Sequence, residues 1–265
     1  MTALREEPRG SFVGGGKMVW LILLGLAIGA PAGWAGGLVG RPAFCIGSHG
    51  TAMTLEFSTM RYAFETTGVQ EEGKAETQRG LLRATFGLAP GLDADLALGT
   101  ANLSFPGGPE GYSTFRSDWA LAWGGGCRFG YPFQGEPWQL QLSASYIGFR
   151  AEAETANMQK AIFSRYTWQE FTPALTAGYR FGQVTPYVGV MQTFLFGTRE
   201  TTVEFLGVVR PSLGGKQSYA DASGKAQGLL GVDWRLPDGY YVTARGCASG
   251  QGQWGFLLGL AQALK

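Results

Sequence analysis

The chain has 265 residues, among them 43 glycines, 17 phenylalanines, 10 tyrosines and 8 tryptophans, while only 15% of its residues are charged. A net charge of +1 provides no basic surface of the kind that binds nucleic acid, so that class of partner is excluded. No long stretch with helical periodicity supplies the core that a soluble protein this aromatic would need. The composition favours a single all-β domain in which only alternate residues face an apolar environment.

The N-terminal segment has the features of a secretory signal peptide. Basic residues precede an apolar run from Met18 to Ala32, and small residues allow cleavage after Ala32 or Ala35. We therefore predict a signal peptide at residues 1–35, a glycine-rich linker at 36–50 and a β-barrel domain at 51–265. A retained inner-membrane anchor is the alternative, although the apolar run is short for a span of about 20 residues.

Alternating apolar and polar residues predict ten strands after the linker, because successive side chains of a strand point to opposite faces. The tight turns predicted after strands two, four, six and eight are at residues 90–91, 132–137, 182–184 and 237–239. The longer loops predicted after strands one, three, five and seven are at residues 65–76, 104–114, 151–165 and 198–225. Short turns at one end and long loops at the other are typical of an outer-membrane barrel with periplasmic turns and extracellular loops.

The hairpin from Phe115 to Phe149 shows two distinct faces. One face is apolar and strongly aromatic, whereas the other carries small, polar or charged residues. Aromatic side chains at both ends of an apolar face are expected of a barrel wall in lipid. Across the whole domain, the aromatic residues predicted to lie at the lipid interface are Trp119, Trp123, Phe129, Tyr131, Trp138, Tyr179, Phe181, Trp234 and Trp254.

Two local features of the predicted wall need a separate explanation. In the first strand, Leu55 and Phe57 have one parity and Met60 and Tyr62 have the other, so a bulge near Ser58 is expected to turn both sets towards lipid. The three glycines at 124–126 lie inside a strand and predict a bend or a close approach between strands.

The opposite face of the predicted strands carries charges of both signs. The residues assigned to a charge network in the lumen are Arg79, Arg83, Asp93, Asp95, Arg116, Asp118, Arg128, Glu170, Arg180, Asp233, Arg235 and Arg245, which is seven arginines against five acids. Buried charges must be paired or hydrated. We therefore expect Arg83 to pair with Asp93 or Asp95, and Arg116 to pair with Asp118 or Asp95.

This network has two interpretations. The first is a set of salt bridges that fills the lumen, and the second is a narrow pore that prefers anions because arginine is in excess. Barrels of about eight strands already have interiors that side chains can fill, whereas porins with an aqueous channel have about sixteen. Ten strands therefore favour a plugged or very narrow lumen.

Nothing in the sequence predicts catalysis. The single histidine, His49, lies in the linker, and no nucleophile motif, metal cluster or phosphate loop is present. We therefore predict no catalytic residue, no metal, no cofactor and no enzymatic activity. The three cysteines have no metal-binding spacing. A disulfide between Cys127 and Cys247 stays open, with two small wall residues as the favoured interpretation.

The segment Thr185-Pro186-Tyr187-Val188-Gly189-Val190 follows a tight turn. Together with the hairpin pattern and the signal peptide, it resembles small bacterial outer-membrane β-barrels of the OmpA-like barrel superfamily, over about residues 51–265. The resemblance implies a closed antiparallel up-and-down transmembrane barrel. The chain departs from such barrels at its end, where Leu264 and Lys265 stand in place of a terminal aromatic residue.

These observations predict a monomeric protein of the bacterial outer membrane, with the lipid bilayer around it and a structural or surface-interaction role. The loop at 198–225 is the predicted contact for an extracellular partner, and its apolar segment 205–209 either folds over the barrel mouth or touches that partner. A simpler interpretation is that strands seven and eight continue through this loop. A soluble periplasmic barrel that binds an apolar ligand is the competing architecture, and it would have apolar residues inside and polar residues outside.

Overall fold

The structure is a computed structural model that describes residues 50–65, 72–105, 115–132, 137–156, 160–205, 208–209, 214–221, 226–250 and 252–264. The proposed signal peptide, most of the linker, Cys45 and His49 lie outside the described residues. No helix in the described part of the chain is long and apolar enough to cross a membrane. The strands are β1 (Thr51–Glu65), β2 (Glu72–Ala89), β3 (Leu92–Phe105), β4 (Phe115–Arg116), β5 (Ala120–Pro132), β6 (Trp138–Ala156), β7 (Lys160–Tyr179), β8 (Val184–Gln192), β9 (Phe194–Phe205), β10 (Val208–Val209), β11 (Gly215–Asp221), β12 (Ala226–Arg235), β13 (Tyr240–Ala248) and β14 (Trp254–Leu264).

The pairing of neighbouring strands forms a ring of ten. β1 pairs with both β2 and β14, so that Thr51 lies opposite Phe86 on one side and Leu264 on the other. From β14 the circuit continues through β13, β12, β8, β7, β6, β5, β3 and β2. Every pair in the circuit is antiparallel. The predicted all-β, antiparallel architecture is confirmed.

β8 and β9 together form one long extended segment, which is interrupted at Thr193. Both pair with β7 in the same register, since Ala174 lies opposite Met191 and Phe171 lies opposite Phe194. Pro173 lies in β7 between these two pairs. Because proline has no backbone N–H, the ladder loses a hydrogen-bond donor there and regular strand pairing is interrupted.

The bulge predicted in β1 is absent. The register of β1 with β2 and β14 runs without a shift from Thr51 to Arg61. Met60 and Tyr62 therefore point into the ring, where they are 0% and 1% exposed. The prediction was wrong because it assumed that every apolar side chain faces outward, whereas the interior near these two residues is itself apolar.

Two of the predicted long loops, at 151–165 and 198–225, are largely strand. β6 reaches Ala156 and β7 begins at Lys160, while β9 reaches Phe205 and β11 begins at Gly215 and pairs with β9. Much of the predicted loop at 198–225 is therefore a continuation of the wall. At the loop end, β13 and β14 stop well before β6, β7, β9 and β11 do. These four strands therefore project beyond β13 and β14.

The inward faces of the strands form two kinds of core. Near the loop end, the core is aromatic: the rings of Tyr62 and Trp168 are 5.5 Å apart, and those of Phe105 and Tyr166 are 4.8 Å apart. Near the turn end, the inward residues are mainly small, polar or charged.

The three glycines of β5 permit the close approach that was predicted, since a Cβ on Gly124 would lie 2.1 Å from the carbonyl oxygen of Tyr146.

Candidate functional site

The outward face of the ring is apolar and exposed. Leu96, Leu121 and Leu230 are each about two-thirds exposed, at 65%, 66% and 65%. Their neighbours on the same face are also aliphatic or aromatic, including Val188 and Leu142. A continuous exposed apolar surface of this kind marks contact with a membrane or with another apolar surface.

The aromatic residues predicted for the lipid interface all occupy outward-facing positions. They form two groups, one near the turn end of the ring and one nearer the loop end. Near the turn end, the ring of Trp138 lies 4.8 Å from that of Tyr179, which lies 4.4 Å from that of Phe181. The other members at this end are Phe129, Tyr131 and Trp234, and those nearer the loop end are Trp119, Trp123 and Trp254.

The separation of the two aromatic groups can be compared with a bilayer. Trp123 and Tyr131 are eight residues apart on β5. At about 3.3 Å per residue and a typical strand tilt of about 40°, this separation corresponds to a height of about 20 Å. The height approaches the apolar band of about 25 Å that surrounds outer-membrane barrels.

Eight of the twelve charged residues assigned to the lumen are buried. They are no more than 5% exposed and all point into the ring: Arg79, Arg83, Asp93, Asp95, Arg128, Glu170, Asp233 and Arg245. The interior also contains Glu56, which the sequence interpretation missed. Its inward position has a signal in the sequence, because Glu56 shares its parity with Thr54 and Ser58 and alternates with Leu55 and Phe57.

One ion pair joins strands that are not neighbours in the ring. Arg79 of β2 donates from Nη2 to Oε1 of Glu170 in β7, and also to Tyr62 Oη and Thr77 Oγ1, each at 2.9 Å. Trp168 Nε1 donates to the same carboxylate oxygen of Glu170. A charged, hydrogen-bonded connection therefore crosses the interior at the base of the aromatic core.

A second group lies on neighbouring strands nearer the turn end. Arg83 Nε donates to Glu56 Oε1 at 2.8 Å, and Arg83 Nη1 donates to Asp95 Oδ1. The structure thus contains the predicted pairing of Arg83 with Asp95. Asp93 instead faces Arg128, with 3.8 Å between Oδ2 and Nε.

The third group is built around Tyr187, the tyrosine of the segment from Thr185 to Val190. Arg245 Nε donates to Tyr187 Oη at 2.7 Å, and the Arg245 guanidinium carbon lies 5.1 Å from the centre of the tyrosine ring. Thr243 Oγ1 donates to Asp233 Oδ1 beside them. The ring lies across Gly231, where a Cβ would be 2.3 Å from ring atoms, so only glycine leaves the necessary room.

Four of the predicted lumen charges are exposed instead. Arg116 and Asp118 were assigned inward by uninterrupted alternation, but the strand breaks at residues 117–119 and the parity reverses there. Ser117 is the buried residue: its Oγ accepts from the Leu103 N–H and donates to the Asp118 carbonyl, both at 2.9 Å. The expected pairing of Arg116 with Asp95 is therefore wrong, because Arg116 points away from the interior that holds Asp95.

Arg180 and Arg235 are exposed for a different reason. Arg180 directly follows β7 and Arg235 is the last residue of β12, beside the tight turns. Their backbone N–H groups bond to the carbonyls of Pro137 and Gln183 at the same end. Although their parity is inward, they lie at the edge of the ring, where a long side chain reaches solvent.

These corrections change the charge balance of the interior. Among the charged residues that the structure describes as buried, the arginines are Arg79, Arg83, Arg128 and Arg245, and the acids are Glu56, Asp93, Asp95, Glu170 and Asp233. Four arginines against five acids replace the predicted seven against five. The arginine excess that suggested an anion-preferring pore is therefore absent from these residues.

The cysteines of the wall are not bridged. Cys127 is exposed on the outward face of β5, whereas Cys247 is buried on the inward face of β13, and both thiols are free. The open alternative of a Cys127–Cys247 disulfide is therefore excluded.

The projecting strands carry an exposed ion-pair network on their outer face. Arg165 Nε lies 2.6 Å from Glu152 Oε1, and Lys216 Nζ lies 2.8 Å from Glu200 Oε1. Arg165 also approaches Glu200, with 3.7 Å between Nη1 and Oε2. The hydrogen bond and positive charge of Lys216 lower the pKa of the Glu200 carboxyl.

No protein-family model matches the chain, and no curated protein matches it. Among solved structures, the translocator domain of the autotransporter NalP from Neisseria meningitidis is 13% identical, with a TM-score of 0.46 over 93% of this chain and 95% of that one. The outer-membrane protease OmpT from Escherichia coli is 11% identical, with a TM-score of 0.42 over 81% and 95%. The attachment invasion locus protein Ail of Yersinia pestis is 9% identical, with a TM-score of 0.34 over 82% and 99%.

At these identities and TM-scores, no residue role passes from those proteins to this one. They are bacterial outer-membrane β-barrels, and the chain resembles them in architecture alone.

Proposed function

We propose that the protein is an integral β-barrel of the bacterial outer membrane, with a side-chain-filled lumen and a structural or surface-interaction role. The observation that carries this proposal is the polarity of the ring, since apolar side chains are exposed outside and charged side chains are buried inside. A soluble barrel with an apolar ligand would have the opposite polarity. The tight turns would face the periplasm and the projecting strands would face the exterior.

Location and fold can be tested together in cell fractions. We expect the protein to remain with the outer membrane until detergent is added, and to migrate faster on a gel when unheated than when boiled. The reason is that a closed barrel stays compact in detergent until heat separates its strands. Release into the aqueous fraction without detergent would instead support the soluble barrel.

The burial of inward residues at several levels of the ring supports the proposal of a filled lumen. Asp93 and Asp233 near the turns are 0% and 1% exposed, and Trp168 near the loop end is 1% exposed. The Arg79–Glu170 pair crosses the interior between them. Because these charged groups are buried and paired, the proposal includes neither a catalytic site nor free solute passage.

Planar bilayers test the lumen separately from the fold. We expect the refolded protein, shown to be inserted by protease protection, to produce no discrete conductance steps. Steps with a reproducible size would favour the pore, and their reversal potential in a salt gradient would report its ion preference.

The surface role is supported by the projecting strands. Val208 and Val209 of β10 are each more than half exposed, and the ion-pair network of Arg165 and Glu200 lies on strands β7 and β9 beside them. Thr201 and Gly215 pair directly, so a short turn can join them after removal of residues 202–214. We expect this truncation to keep the heat-modifiable fold and to abolish adhesion of expressing cells to coated surfaces or to one another. Unchanged adhesion would mean that the removed residues do not carry the surface-interaction role.

A further inference from the structure

A small polar cavity lies beside the ion pair that crosses the ring. Its volume is about 10 Å³, and its lining includes Arg79, Arg83, Glu170, Ser58, Ser145 and Thr172. A volume of this size holds about one water molecule. The lining contains several more hydrogen-bonding groups than the two to four that a buried water normally uses.

Arg79, which lines the cavity, has a hydrogen-bond donor that is not used. Its side chain is 3% exposed, and its Nη2 has three hydrogen-bond acceptors, yet its Nε is buried without a hydrogen-bond partner among the described residues. A buried guanidinium donor without a partner is unfavourable, because it has lost its water and gained nothing in exchange.

We propose that this cavity is a binding site for a single water molecule that accepts a hydrogen bond from Arg79 Nε and bonds to the hydroxyl groups of the lining. The charges around the cavity favour a neutral occupant. A chloride ion would face Glu170 directly and the carboxylates of Glu56 and Asp95 behind Arg83. A cation would face the two guanidinium groups. The inference depends only on packing inside the ring and holds whether or not the lumen ever conducts.

Replacing Ser145 by valine tests the site, because a bound water and an empty cavity predict opposite changes in the urea midpoint. Valine fills the cavity and removes one hydroxyl partner, so displacing a bound water leaves Arg79 Nε unpaired. We expect S145V to lower the urea midpoint of the full chain in detergent and to reduce the folding equilibrium constant about tenfold. A dry cavity predicts the opposite, since filling a void adds contacts and raises the midpoint.

S143V is the matched control. Ser143 lies two residues away on the same inward face of β6, has the same 7% exposure and does not line the cavity. Its Oγ donates to the Ala174 carbonyl at 3.5 Å, so S143V also removes one weak hydrogen bond. A larger loss for S145V than for S143V supports the water. Equal losses overturn the proposal.

Overpacking by valine is separated from water loss with R79K, because lysine keeps a positive charge near Glu170 but has no Nε donor. If water loss is the cause, S145V should lower the urea midpoint no more than S143V does in an R79K background. If steric strain is the cause, S145V should still lower the midpoint more than S143V. If R79K fails to fold, a high-resolution crystal structure of the unmodified protein decides the question. Density for one water within hydrogen-bond distance of Arg79 Nε supports the site, and a clearly empty cavity overturns it.

Discussion

Arg79 and Glu170 illustrate how a buried charge depends on its partner. Each side chain is buried, and each would lose its main compensation if the other were removed. Truncating one member of a buried pair leaves an uncompensated charge, which typically costs about 3–5 kcal/mol. Removing one member of the pair is therefore expected to destabilise the ring far more than replacing both members by apolar residues of similar volume.

We predict that R79A lowers the free energy of unfolding by about 3–5 kcal/mol, measured from urea curves followed by tryptophan fluorescence. Arg165 is the control, because it also pairs with a glutamate but its side chain is 44% exposed. R165A should cost about 1 kcal/mol or less. Similar losses for the two variants would contradict the role assigned to the Arg79–Glu170 pair.

Glu200 predicts a pH dependence at the exposed surface. Lys216 lowers the pKa of its carboxyl in the folded state, so the pair contributes stability above the unfolded pKa of about 4.3 and loses it as the pH falls through the folded pKa. We expect K216M to lower the urea midpoint slightly at pH 7 and to have progressively less effect as the pH falls below about 4. A K216M effect that stayed constant across this range would contradict the electrostatic origin.

The sequence interpretation of single residues was right where a strand is continuous and wrong where it is not. Arg83 and Asp95 lie in uninterrupted strands, and parity alone placed them correctly. Arg116 and Asp118 were misplaced because a break of three residues reverses parity without any loss of apparent alternation. The partner of Arg79 could not be predicted, since it lies 91 residues away across the ring. That contact depends on the stagger of every strand between them.

At the scale of the strand, the ends were the least predictable feature. Alternation of apolar and polar residues fades where β6, β7 and β9 leave the apolar band, because the outer face becomes charged there, as at Glu152, Arg165 and Glu200. The backbone pairing continues regardless. Polar residues with weak alternation were therefore interpreted as loop, although strand pairing needs no apolar face once a neighbouring strand is present.

The contact between β8 and β12 gives a prediction for an element. Tyr187 of β8 lies across Gly231 of β12, which leaves its hydroxyl group to accept a hydrogen bond from Arg245. We expect G231A to displace the ring and destabilise the fold by about 1–3 kcal/mol, because added core atoms force side chains and backbone to shift. G228A on the same strand is the control, since its Cβ would meet only the carbonyl oxygen of Ala248, at 3.8 Å. Equal decreases of the urea midpoint in the two variants would contradict this packing.

At the scale of the whole molecule, the ring places its tryptophans in two environments. Trp123 and Trp234 are outside and about half exposed, whereas Trp168 is inside and 1% exposed. Both positions were accessible to parity reasoning, but the extent of the aromatic core was not. Its members come from β1, β3, β6 and β7, and only the pairing of strands around the ring brings them together.

We predict that brominated lipid acyl chains quench single-tryptophan variants that retain Trp123 or Trp234 strongly, and a variant that retains Trp168 weakly. The reason is that bromine quenches only rings it can approach closely. Vesicles with unbrominated lipid of the same chain length provide the control. Strong quenching of Trp168 would contradict its placement inside the ring.

The pairing of Thr51 with Leu264 has a consequence for how the chain can be rewired. The first and last described strands meet side by side at the turn end, so a short peptide can connect them without disturbing any pair of the ring. A new start can then be opened between Ala156 and Lys160, at the far end of the molecule, where β6 and β7 are joined by three residues. Such a circular permutant would keep the same ten neighbouring strand pairs, but β7 would be synthesised first and β6 last. It would therefore separate the geometry of the ring from the order in which its strands are made.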